Sequence, residues 1–474
     1  MTDASRSAPR SAGGTLAVAA AGTALVLVAF TAPLATLPAT AAAVHAGPGG
    51  QAWILSGMSV GCAAGLLGAG ALGDDHGRRR TLLAGVLLLA AASLLGAAAP
   101  DALVLIVARI LQGLGGAAIL ACSLGLIGHV YPDGPQRARA TGIWGAALGA
   151  GVAAGPFLAL GLQAVGGWRV LYVATALAAL LLCVAGRVWL PASPPARRRP
   201  VDVAGTVLLG LGLAVVLAGL VQGRTGWTGP LTLGLFTAGL LLVAGFVVVE
   251  HRRADAMFDL TLLGRRDFTA ALVAALAAGA GVLSLASFTP IIVERGLGGS
   301  ALAGVAAMLA WSGLSALTPL AAGRLSRWIT PRGQLVAGLL GCAAGQLALM
   351  GLHPHSPVAR LLPGLLLAGA ANGVLNAALG RQAVSSVPAD RTAMGSGANN
   401  TARYLGSAIG LALVTVLISH GTTPPAVLAG WNHAVLATAA CSLAGALIVL
   451  FTRDRATTVP GPARRRLEPA AQAS

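Results

Sequence analysis

The chain has 474 residues, of which 56% are hydrophobic and only 9% charged, with a formal net charge of +17. A soluble protein of this length needs far more charge to cover its surface, so the composition excludes a water-soluble globular fold and selects hydrocarbon as solvent. The positive charge does not imply nucleic acid, because the arginines sit in short gaps between apolar runs rather than along one face.

Apolar runs long enough to cross a hydrocarbon core ~30 Å thick lie, in chain order, near residues 16–38, 52–73, 81–99, 102–127, 140–162, 169–190 and 203–221. Further runs lie near 230–249, 268–292, 300–323, 334–352, 358–380, 394–419 and 431–451. The first follows Arg6 and Arg10 and precedes Ala39, Ala41 and Ala43. It exceeds the roughly 7–15 apolar residues of a cleaved signal peptide, so an uncleaved first span is expected. Breakers such as Pro48-Gly49-Gly50, Pro132-Asp133-Gly134 and Pro354 fall between runs. The expected fold class is an all-α integral membrane protein with about 14 transmembrane helices.

Arginine placement sets the expected orientation. With the N-terminus inside, cytoplasmic segments hold Arg78–Arg80, Arg137, Arg139, Arg197–Arg199, Arg252, Arg253, Arg265, Arg266, Arg324, Arg327, Arg332, Arg381 and Arg391, and the tail holds Arg453, Arg455 and Arg464–Arg466. The outer loops keep Arg169, Arg224, Arg295 and Arg360. A multi-pass plasma-membrane protein with both termini cytoplasmic follows. The five cysteines, Cys62, Cys122, Cys183, Cys342 and Cys441, lie inside apolar runs without metal-ligand spacing and read as small buried hydrophobes. No metal or cofactor is expected.

A weak repeat relates two turns. Gly70-Ala71-Leu72-Gly73-Asp74 runs into Gly77-Arg78-Arg79 after the second run, and Gly323-Arg324-Leu325-Ser326-Arg327 runs into Pro331-Arg332 after the tenth. Duplicated helical bundles around a central site are a known transporter build. The expected division is a tail at 1–15, a six-helix bundle at 16–190, a linker with two inserted helices at 191–267, a second six-helix bundle at 268–452, and a tail at 453–474.

The turn Gly70-Ala-Leu-Gly-Asp74-Asp75-His76-Gly77-Arg78-Arg79 resembles the signature loop of the major facilitator superfamily, with Asp75 where that loop usually carries arginine. Arg109-Ile110-Leu111-Gln112-Gly113 on the fourth run is similar to the family's arginine–glutamine–glycine motif. Gly142, Gly151, Gly155 and Pro156 on the fifth have the spacing of its antiporter motif, whose closing glycine pair is replaced by Ala159-Leu160. Gly167-Trp168-Arg169 adds a match. Gly397 to Gly406, with Asn399, Asn400, Arg403 and Tyr404, resembles a late segment of the fourteen-span drug:proton antiporter branch. The resemblance runs from about residue 16 to 451. It implies the major facilitator fold, two six-helix bundles plus an inserted pair, and export of small amphiphilic drugs or metabolites, coupled to the proton gradient. An uptake symporter of the same fold and a non-transporting sensor are the alternatives.

The resemblance makes Gly70, Asp74, Gly77, Arg78 and Arg79 a gating motif, with Asp74 as a latch holding the inner gate closed; the alternative is a solvated turn that obeys the positive-inside rule. Arg109 is costly in a span, about 2.5–3.5 kcal/mol on insertion scales, so it must face a cavity or a partner. With Gln112 it reads as a substrate or relay contact, or as a tether to backbone carbonyls of neighbouring spans. Arg403 is the second embedded arginine, one turn from Asn399, and Asn372 and Asn376 share a helix face at i, i+4 spacing. These six are the expected substrate or relay residues, with Trp144, Trp311 and Phe288 available to floor a cavity. Gly151, Gly155 and Pro156 permit close packing and a bend.

The acids fall at loops, span ends or tails, and Ala29 stands where the resembled branch commonly has an aspartate in its first span. With Arg109 and Arg403 embedded, the passage is expected to be electropositive and to suit neutral or anionic amphiphiles. Glu294 and Asp101 are the fallback proton sites. An enzyme would need paired acid/base groups or a metal cluster at depth, and ATP-driven transport a P-loop; the sequence has neither pattern. The expected molecule is a monomeric small-molecule transporter in the lipid bilayer that binds no nucleic acid.

Overall fold

The computed structural model describes residues 8–132, 134–191, 202–223, 226–253, 258, 260–325, 328–419 and 423–452. Arg6, Arg197–Arg199, Arg224, Asp133, Ser326, Arg327, the tail at 453–474 and the first seven residues lie outside them, as does the side chain of Arg324.

Among the described residues, fourteen long helices follow one another: α1 (Ala8–Thr31), α2 (Pro48–His76), α3 (Arg78–Ala97), α4 (Ala102–Val130), α5 (Pro135–Gly166), α6 (Trp168–Trp189) and α7 (Val203–Gly223). They continue as α8 (Pro230–Arg252), α9 (Arg266–Gly296), α10 (Ala301–Leu325), α11 (Pro331–Leu347), α12 (Leu362–Ser385), α13 (Thr392–Ser419) and α14 (Pro424–Phe451). Among the described residues, thirteen are long and apolar enough to cross a membrane. The remaining one, α11, has 17 residues, about 25 Å at 1.5 Å per residue, the short end of the spanning range.

Turn chemistry explains the boundaries. Pro48, expected in a gap, instead opens α2 after Gly47, a position where the missing proline N–H costs nothing. The first run breaks at Ala32, and a separate short helix, Pro33–Ala43, continues it. Gly77, at φ 109°, makes the one-residue turn between α2 and α3 in a backbone region that side chains rarely adopt. The run expected at 334–352 ends early, because the helix stops at Leu347 and the chain turns through Gly351 at φ 72°. Two π-helical turns, Gly279–Leu283 and Ile292–Gly296, interrupt α9.

The helices form two lobes, each with its own core. Met58, Leu66, Ile119, Leu124 and Trp144 centre the first, and Leu285, Trp311, Leu339, Leu375 and Trp431 the second. A smaller cluster of Leu67, Leu209, Phe246, Phe258 and Phe268 seats α7 and α8 against α2 and the start of α9. The outer surface is apolar: Leu181, Val184 and Val188 on α6 and Leu240 and Leu241 on α8 are exposed. Apolar faces of this extent are rare in water and natural in lipid.

Candidate functional site

Two constructions stand out where the lobes meet: a polar seal near the arginine-rich end and a cavity midway along the helices.

The seal is built from the turn between α2 and α3. Asp74, buried, accepts from Arg78 Nε at 2.7 Å. It also reaches the other lobe, where it accepts from the amides of Ala393 at 3.2 Å and Met394 at 2.8 Å. These amides belong to the first turn of α13, so the carboxylate caps a helix of the opposite lobe at the positive end of its dipole. Arg78 completes the joint by donating to the carbonyls of Gly125 at 3.4 Å and Ala389 at 3.1 Å. Asp75, in place of the motif's arginine, pairs with Arg391 at 3.6 Å. Gly70 lets α13 approach, since a Cβ there would lie 2.9 Å from Met394 Cα. Arg79 donates to the Arg187 carbonyl at the end of α6, within its own lobe.

The cavity, about 90 Å³, lies between α1 and α5 of the first lobe and α9, α10, α12 and α13 of the second. Phe30, Thr31, Leu148 and Val152 face Ser287, Met308, Trp311, Ser315, Asn372, Asn376, Arg403 and Tyr404. Phe30 and Tyr404 meet edge to face, ring centres 5.8 Å apart, across the lobe boundary. Asn372 Nδ2 donates to Ser315 Oγ at 2.8 Å. Arg403 donates to Asn400 Oδ1 at 2.6 Å, and its guanidinium lies 5.7 Å from the Tyr404 ring centre. Met394 and Arg403 are nine residues apart on α13, so the seal sits ~14 Å beyond the cavity at 1.5 Å per residue.

Of the expected substrate or relay residues, Asn372, Asn376 and Arg403 line this cavity; Arg109, Gln112 and Asn399 do not. Arg109 is fully buried in the first lobe, where it donates to the carbonyls of Ile54 at 3.1 Å, Ala29 at 2.7 Å and Phe30 at 3.4 Å and to Gln112 Oε1 at 2.8 Å. Gln112 passes the chain on to Ser93 Oγ at 2.8 Å. This is the tether, not the cavity contact. Asn399 points to the Ala271 carbonyl at 3.2 Å, joining α13 to α9. Trp311 is a wall residue, Trp144 donates beneath the cavity to Ser123 Oγ at 3.1 Å, and Phe288 stands outside the lining. The two fallback acids are peripheral as well: Asp101 caps α4 through Val104 N at 2.9 Å, and Glu294 is exposed.

The glycines of α5 serve close approach. A Cβ at Gly151 would lie 2.7 Å from Leu27 Cβ of α1, and one at Gly142 2.7 Å from the Pro319 carbonyl of α10. Pro156 removes an N–H from α5, and Thr31 Oγ1 comes to 3.5 Å from Val152 O, the carbonyl so released. Ser315, Met308 and Phe30 escaped the sequence reading. A serine, a methionine and a phenylalanine in apolar runs carry no signal until the opposing helix is known.

A cavity walled by two helical lobes, with a polar lock between them at one end, defines a membrane transporter that works by moving one lobe against the other. The chain belongs to the Major Facilitator Superfamily, whose family model matches residues 19–411; it is a transporter and not an enzyme. It is 30% identical to the multidrug resistance protein Stp of Mycobacterium tuberculosis, over 82% of this chain and 71% of that protein. It is 28% identical to the tetracenomycin C resistance and export protein of Streptomyces glaucescens, over 85% of this chain and 76% of that protein. The solved structure of the proton:xylose symporter XylE shares the fold, with a TM-score of 0.69 at 14% identity over 93% of this chain and 96% of that one.

Proposed function

We propose that this transporter exports small amphiphilic molecules across the plasma membrane by alternating access. Residues 16–190 and 268–452 rock against each other about the cavity, and residues 191–267 carry the inserted pair between them. The arginine-rich end is the cytoplasmic side, with both termini there. The observation that carries this reading is the capping of α13 by Asp74: a lock between lobes, on the cytoplasmic side of a central cavity, belongs to the state that faces outward. At about 90 Å³ the cavity is smaller than the ~300–1,000 Å³ that drug-sized ligands occupy, so loading requires the lobes to part. The names of the relatives, a multidrug resistance protein and a resistance and export protein, support export as the direction.

The resemblance implies proton coupling, but among the described residues the cavity wall holds no carboxyl or imidazole group. Export is tested in a deletion strain and an overexpressing strain challenged with chemically diverse compounds, with and without an uncoupler. Overexpression should raise resistance and lower accumulation of the compounds transported. Raised accumulation on overexpression would establish uptake instead.

A further inference from the structure

Arg109 and Arg403 are both embedded arginines, but their surroundings differ in kind. The Arg109 guanidinium has four oxygen acceptors, all within its own lobe. Arg403 is also buried, yet its partners are neutral: it donates to the Asn400 amide oxygen, and the Tyr404 side chain lies beside its guanidinium. Its remaining donors belong to a side chain in the cavity wall, where no described residue is acidic. A buried cation without a counter-charge is costly, and proteins supply one from a partner or a ligand. Three further polar atoms of the same wall are buried and unpartnered: the Trp311 indole N–H, Asn372 Oδ1 and the Tyr404 hydroxyl. The indole is a second donor. Around them Phe30, Met308 and Leu148 are apolar.

We propose that Arg403 is an anion-binding subsite, and that the transporter exports amphiphilic monoanions, such as carboxylates or sulfonates, driven by the membrane potential. This deepens the export reading and rests on it. The anionic group sits on the guanidinium and the apolar body lies against Phe30 and Met308. The energetics follow from charge. When the loaded transporter turns outward it moves the Arg403 charge and the substrate together, and when it returns empty it moves the Arg403 charge back. One cycle therefore carries one net negative charge out of the cell. An inside-negative potential drives that movement, worth about a 50-fold concentration ratio per ~100 mV. The cycle needs no proton carried on the protein, which accounts for a cavity wall without a titrating carboxyl.

The test uses the full chain in proteoliposomes with three probes: anilinonaphthalenesulfonate as amphiphilic monoanion, ethidium as lipophilic cation and radiolabelled chloramphenicol as neutral compound. A potassium diffusion potential, negative on the loading side with no pH difference, should accelerate sulfonate flux. A pH gradient at zero potential should not. Arg403→Gln should lower the ratio of sulfonate flux to chloramphenicol flux by about 10-fold or more, as loss of a buried charge partner does. Arg403→Lys should retain most of the sulfonate flux. Preference for ethidium over the sulfonate, sulfonate flux that follows the pH gradient, or an undiminished flux ratio in Arg403→Gln would each overturn the proposal. In those cases export itself stands. If the wild-type protein, monodisperse in detergent before reconstitution, moves none of the three probes under either gradient, the export reading falls and the subsite with it.

Discussion

Arg109 donates at 2.7 Å to the carbonyl oxygen of Ala29, the acceptor that Pro33 leaves without its helical partner. In a continuous helix the Ala29 carbonyl would receive the N–H of residue 33, and proline has none. The arginine of α4 thus repairs the break that ends α1 and starts the helix Pro33–Ala43. The side chain and the backbone defect are a matched pair, and the break lies beside Phe30 and Thr31 in the cavity wall.

The pairing predicts non-additive effects. Arg109→Gln should destabilise the protein by at least the ~1–3 kcal/mol of a buried unsatisfied group, read as a lowered Tm in detergent. Pro33→Ala restores the N–H, so in that background the same Arg109→Gln substitution should cost distinctly less. Additive losses across the cycle would mean that Arg109 stabilises through something other than the broken turn.

Asp74 is the second matched element. Its carboxylate holds two amides of α13 and the Arg78 guanidinium, and a hydrogen bond to a charged group contributes ~1.5–3 kcal/mol. Asp74→Asn keeps the shape and loses the charge, so the closed state should lose roughly ten- to hundred-fold in population. Cys122 reports on it. Its thiol is buried against Gly73, 2.6 Å from where a Cβ there would lie. With the other four cysteines replaced, maleimide labelling of Cys122 from the arginine-rich side should be at least ~10-fold faster in Asp74→Asn than with Asp74 intact. Equal labelling rates would show that the capping contact does not hold the lobes together.

Much of this architecture was legible in the chain, because the helices answer to hydrocarbon thickness and the turns to glycine and proline. The place of Asp74 followed from its motif. What it touches did not, since Met394 is 320 residues away and offers only a backbone amide, which no side-chain pattern encodes. The same reason hid the role of Arg109. Its acceptors are carbonyls, and the proline that frees one of them lies 76 residues earlier, so sequence chemistry left cavity contact and tether open together. Arg403, Asn372 and Asn376 were recognisable as polar groups at depth. Which of the embedded polar residues share a wall depended on helix rotation, and that placed Asn399 on the α9 side instead.

The inserted pair raises a separate question, whether α7 and α8 take part in transport or only flank it. Asp202 begins α7, accepting the Gly205 amide at 2.8 Å, and holds Arg253 from the end of α8 at 2.6 Å. Glu250 beside it accepts the Phe258 amide, so this corner also fixes the chain leading into α9. Asp202→Ala removes a helix cap, worth ~1 kcal/mol. The ion pair adds little, because Arg253 is half exposed. The expected result is a modest fall in Tm with transport unchanged, since no described residue of this corner lines the cavity. The corner does share a cleft with Asp75 and His76 of the seal. Transport lost at unchanged Tm would therefore make α7 and α8 part of the lock, acting on it through that cleft.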